Sequence, residues 1–143
     1  MTYRKSVLIA GILALTPMIF AASADAWRAR NWHQVNVLSP TVFEVVGQPG
    51  SGAADYWCGA GDYVRHSLRM PAVQRVFIWQ AIGPSVRQSG RKAVQFSLNR
   101  PQASVAPPGY SLSVKAVGDN LTAAAAFQYC LDNDPYDPFF RRP

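Results

Sequence analysis

His66 follows Asp62 by four positions, the spacing that brings two side chains together on one helix face. A carboxylate placed there can orient an imidazole for acid–base work, and Ser51, Ser67 or Ser85 would then be the hydroxyls available as a nucleophile. The chain contains no Gly-x-Ser-x-Gly turn to expose such a serine. An Asp–His pair at this spacing is also commonly surface electrostatics alone, so no residue is assigned a catalytic role. Tyr56 and Tyr63 bracket the run Tyr-Trp-Cys-Gly-Ala-Gly-Asp-Tyr and, with Asp62 and His66, form a candidate ligand site. Aromatic residues at helical spacing equally describe a buried stripe. His33 shares a strand face with Val35 and Val37, which suits a hydrogen-bonded histidine at the core margin.

Metal chemistry finds little support. The chain has only two histidines and two cysteines, and the cysteines are expected to pair, which leaves no zinc set. Asp132, Asn133, Asp134 and Asp137 offer oxygen donors of the kind calcium prefers, without the glycine and glutamate positions of an EF-hand loop. Neither a metal nor another cofactor is implied. Arg87, Arg91 and Lys92 cluster on one inter-strand loop and form a candidate anion-binding group. Arg65, Arg69 and Arg75 stand around the preceding helix end and would extend it if they share a side.

The formal net charge of the 143 residues is +6. A modest basic surplus favours anionic partners, an acidic envelope polymer or lipid among them. Readers of single-stranded nucleic acid add exposed aromatics to such a patch. Here the aromatics fall mostly on apolar stripes, so nucleic acid is not an expected partner. Trp27-Arg28-Ala29-Arg30-Asn31-Trp32 mixes cations and indoles as membrane-surface segments do, but it is too short for an anchor.

Residues 1–26 read as a signal peptide. Arg4 and Lys5 precede the apolar stretch Val7 to Phe20, and Ala22-Ser23-Ala24 and Ala24-Asp25-Ala26 are small-residue cleavage sites. The apolar stretch is about 14 residues long, against roughly 20 for a spanning helix. The address is periplasmic or extracellular, so Cys58 and Cys130 enter a compartment that permits a disulfide. Residues 27–131 make one domain, and Asp132 to Pro143, with three prolines, is a tail.

Within the domain, alternation or β-branched content predicts strands at 33–38, 42–46, 74–82, 92–98 and 110–117. Helical periodicity predicts helices over 53–69 and 121–131, the second capped from Gly118-Asp119-Asn120. Gly59 and Gly61 each weaken a helix interior by about 1 kcal/mol relative to Ala, so the first helix needs tertiary contacts or a break near Gly59. The order ββαβββα predicts an α+β fold: an antiparallel sheet of about five strands with two helices on one face. Both cysteines then lie on buried helical stripes, and a Cys58–Cys130 bond would join the helices.

Phe43-Glu44-Val45-Val46-Gly47, the Tyr56–Tyr63 run and Ser113-Val114-Lys115 leading to Gly118-Asp119-Asn120-Leu121 resemble small exported proteins of alphaproteobacteria. The resemblance implies bacterial export and carries no activity, cofactor or catalytic residue with it. The functional expectation is a small envelope protein that acts by binding another envelope protein or an anionic envelope component. Two alternatives stand beside it: a small hydrolase using Asp62 and His66, and a secreted inhibitor.

Overall fold

The computed structural model describes residues 26–102 and 112–132. Nearly all of the leader and of the tail lie outside these, as do Tyr110 and Ser111 and the oxygen-donor residues after Asp132. The strands are β1 (Trp27–Arg28), β2 (Gln34–Val37), β3 (Val42–Val46), β4 (Arg75–Pro84), β5 (Lys92–Ser97) and β6 (Asn120–Thr122). They form one antiparallel sheet in the order β1-β2-β3-β5-β4-β6. Helices α1 (Ala53–Asp62) and α2 (Ala123–Asp132) complete an α+β fold, with one strand more than the alternation predicts.

The core follows from register. Val35, Val45 and Val94 align across β2, β3 and β5, and Phe43, Phe96 and Ile78 align across β3, β5 and β4. Because side chains alternate along a strand, these rows share one face. There they meet Trp57, Ala60 and Val64 from the first helical segment and Ala123 and Ala126 from α2 in one buried cluster. The Trp57 indole N–H donates to the Ser113 carbonyl at 2.9 Å, so its polar edge is satisfied inside the core.

Helix α1 is enclosed rather than one-sided: every residue from Tyr56 to Asp62 is buried. Its two glycines explain how. A Cβ on Gly59 would stand 2.7 Å from a methyl of Val45 in β3, and one on Gly61 would overlap the α2 backbone at Ala126 and Phe127. The glycines therefore let the helix lie against sheet and second helix at once, and α1 runs through Gly59 without a break. Between the helices Cys58 and Cys130 form a disulfide, with Cα atoms 4.8 Å apart. Gly61→Ala is expected to destabilise the fold by about 1–3 kcal/mol, because the helices must separate while the disulfide tethers them. A urea midpoint unchanged from wild type would contradict this contact.

Three sequence expectations change. The helix predicted to Arg69 turns into a π-helical turn, Tyr63–Ser67, in which the Leu68 amide reaches back five residues to Tyr63 O at 3.0 Å. The wider turn rotates the stripe, which leaves Leu68 exposed. The strand predicted over 110–117 is not a strand across Leu112–Val117; the sixth strand lies instead at Asn120–Thr122. The register shifts of β4 after Ile78 break a continuous ladder, leaving isolated bonds such as Ile82 N to Val114 O (2.9 Å) and Gly118 N to Ile78 O (2.9 Å). Finally, Leu121 pairs with Val76 in the sheet, so α2 begins at Ala123 and its cap is Thr122, whose hydroxyl accepts from Ala125 N at 3.2 Å.

Candidate functional site

The loop after β3 turns sharply because Pro49 and Gly50 hold its two central positions. Gly50 has φ +85°, and the Ser51 amide closes the turn on Gln48 O at 3.1 Å, a type II pattern. Ser51 Oγ accepts from Gln48 N at 2.9 Å and meets His33 Nε2 at 2.7 Å. The other imidazole nitrogen, Nδ1, lies 3.2 Å from Asn31 O and must donate to it, so Nε2 accepts the Ser51 hydroxyl proton. Burial holds the His33 pKa below its ordinary value despite the raising effects of the Asn31 bond and of Asp55, which keeps the ring in this neutral form. His33 is thus the core-margin histidine expected from its strand position.

Opposite this loop stands the β4–β5 hairpin. Lys92 O accepts from Gly47 N at 2.8 Å, and Arg91 donates to Gly47 O from Nε (3.2 Å) and Nη2 (2.7 Å). The two loops enclose a shallow cleft of about 380 Å³ whose lining includes Ser51, Tyr56, Ile82, Arg91 and Lys92. Burial raises the Tyr56 pKa, so its phenol stays protonated there at neutral pH. Beyond Arg91 on one side the depression continues to Arg28, Trp32, Gln34 and Gln88; on the other it runs to Gly83 and Pro84. Arg28, Arg91 and Lys92 are all exposed, giving the trough three cations.

Trp32 enters this trough from an unusual backbone. The β1–β2 connection closes through Trp32 N to Ala29 O (2.8 Å) and Ala29 N to His33 O (2.9 Å), which leaves Trp32 left-handed at φ 67°. Its side chain is 67% exposed, and Gln48 Nε2 donates to its carbonyl at 3.0 Å.

Comparison with protein-family models, characterised proteins and solved structures finds no match to this chain. Asp62 Oδ1 meets His66 Nδ1 at 2.6 Å, the pairing the spacing predicts. Its other oxygen accepts from Arg30 N at 2.6 Å, so one carboxylate ties the β1–β2 turn to the helix. His66 is half-exposed, with its ring edge on Phe127 at 4.8 Å. Tyr63 is buried between Trp27 and Phe43, at ring distances of 5.5 and 4.7 Å. Of the four residues grouped as a ligand site, only Tyr56 is among those lining the cleft.

The basic cluster also divides. Arg91 and Lys92 line the cleft, whereas Arg87 is not among its lining residues and its guanidinium lies 3.4 Å from Val37 O. Arg65 is committed to Met70 O and Arg75 to Asn120 Oδ1, both at 2.8 Å.

On the sheet face that carries Gln34 and Val46 lies a residue the sequence did not single out as a site. Glu44 is completely buried, yet its carboxylate accepts from Asn36 Nδ2 (3.0 Å), Ser85 Oγ (2.8 Å), Val86 N (2.9 Å) and Arg87 N (3.1 Å). Burial alone would raise its pKa; these four bonds to the ionised form outweigh it and hold the value below the ordinary 4.5. A single acid inside Val42-Phe43-Glu44-Val45-Val46 was the available signal. Three of its four partners come from a loop more than 40 residues away.

Proposed function

We propose that the protein is exported to the cell envelope and there binds an anionic component through the cleft centred on Arg91. One observation carries the reading: three depressions meet at Arg91 and share a lining in which Arg28, Arg91 and Lys92 are exposed. A concave surface with one sign of charge concentrates counter-charged ligands. The disulfide suits an oxidising compartment, and among the described residues no helix is long and apolar enough to cross a membrane. The hydrolase alternative lacks comparable support. Asp62 and His66 are not among the residues lining this cleft, and the Ser85 hydroxyl is engaged with Glu44.

The test is titration of the mature protein with polyaspartate and with vesicles of anionic lipid at several salt concentrations. Arg28→Gln with Lys92→Gln leaves the Arg91 tether to Gly47 intact. It is expected to weaken binding and to lower the salt slope by roughly one per cation removed. Arg87→Gln, outside the lining of the cleft, should leave both unchanged. An identical salt slope in all three proteins would remove the cleft from the interaction.

A further inference from the structure

Trp32 occupies a position that glycine fills by preference. It is the left-handed residue closing a three-residue hairpin connection, and a bulky side chain there is a backbone outlier. Burial does not explain the choice, because the side chain is mostly in solvent. The strain is held in place by the two hydrogen bonds of the turn and by the Gln48 amide on the Trp32 carbonyl. Strain of this kind, imposed on an exposed side chain beside a polar depression, points to the side chain's use.

We infer that the cleft recognises an acidic saccharide, with the Trp32 indole as the platform for a sugar ring and Arg28 and Arg91 as partners for its carboxylates. This rests on the proposal that the cleft binds anions and names the chemistry of the ligand. An exposed indole offers a flat apolar face that fits the C–H face of a pyranose. The same depression is lined by the amide side chains of Gln34, Gln48 and Gln88, donors and acceptors suited to sugar hydroxyls, and by the two guanidinium groups. Planar guanidinium groups pair with carboxylates through two parallel hydrogen bonds. A single-stranded nucleic acid would also stack and also carry charge, but its readers place successive bases on several aromatics. Among the described residues Trp32 is the only aromatic one in this part of the lining, and three amides accompany it.

The experiment uses the mature protein and calorimetric titration with four probes: oligogalacturonate, its methyl ester, polyaspartate of matching charge, and oligo-dT. Wild type is expected to bind oligogalacturonate at least tenfold more tightly than polyaspartate and to lose most of that affinity for the uncharged ester. Trp32→Gly should abolish the preference while leaving polyaspartate binding unchanged. It should also raise the melting temperature, because glycine relieves the left-handed backbone. Trp32→Phe, which keeps a ring, should retain part of the preference. Equal affinity of wild type for the two polyanions, or a preference that survives in Trp32→Gly, overturns the inference and leaves only an electrostatic cleft. Tighter binding of oligo-dT than of oligogalacturonate overturns it in favour of nucleic acid. Failure to bind any polyanion removes the anion-binding reading itself.

Discussion

Replacing Glu44 with Ala is expected to lower stability by about 3–5 kcal/mol, because several buried donors lose their acceptor at once and each unsatisfied one costs about 1–3 kcal/mol. The loss comes less from the bonds than from what remains: the Val86 and Arg87 amides, the Ser85 hydroxyl and the Asn36 amide would all face an empty site. Glu44→Gln keeps the shape and removes the charge. Because the folded pKa lies below 4.5, the ionised carboxylate contributes its full stability above that pH and loses it as the pH falls through the folded value. The gap in unfolding free energy between wild type and Glu44→Gln should therefore be widest at neutral pH and close below about pH 4.5. Denaturant titrations of the three proteins from pH 7 to pH 3 measure both effects. A loss below 1 kcal/mol for Glu44→Ala at pH 7 would mean that the loop relaxes to admit water.

Removal of the disulfide, by Cys58→Ala with Cys130→Ala, should lower stability by roughly 2–5 kcal/mol. The bond closes a loop of 72 positions, so its absence enlarges the unfolded ensemble substantially. The Arg91 cleft should still bind its ligand under conditions where the variant is folded, since neither cysteine is among its lining residues. Intact mass of the protein recovered from the extracytoplasmic fraction, after alkylation without reductant, checks bond and export together. The expected species begins at Asp25 or Trp27 and carries no alkyl group. Two alkyl groups would show the cysteines reduced, and a retained leader would count against export.

Alternation made β2 and β5 legible, since hydrophobic residues on every second position leave little freedom about which face turns inward, and β-branched, apolar content marked β3 and most of β4. The segment around Leu112, Val114 and Ala116 alternates just as well but is not a strand. Val114 is still buried, so the pattern reported the side-chain environment correctly. What it could not report was the bulged edge of β4 that denies this segment a continuous ladder. The disulfide was legible from two cysteines on two apolar stripes. The cleft was half legible: Arg91 and Lys92 stand next to each other in the chain, whereas Arg28 and Trp32 join them only because β1 and β2 fold beside the Gly47–Ser51 turn. Nothing local marks Trp32 as left-handed, because that conformation is imposed by the hairpin closing around it.

The β4–β5 loop is fastened at two points. Its beginning is held by the Glu44 carboxylate and its end by the Arg91 and Lys92 bonds to Gly47. A wall restrained in this way gives up little conformational freedom when a ligand arrives. Association then draws on a preorganised surface rather than on an ordering transition, and affinity is not diluted by the entropy of fixing a mobile loop. The buried acid thereby contributes to recognition without lining the cleft itself.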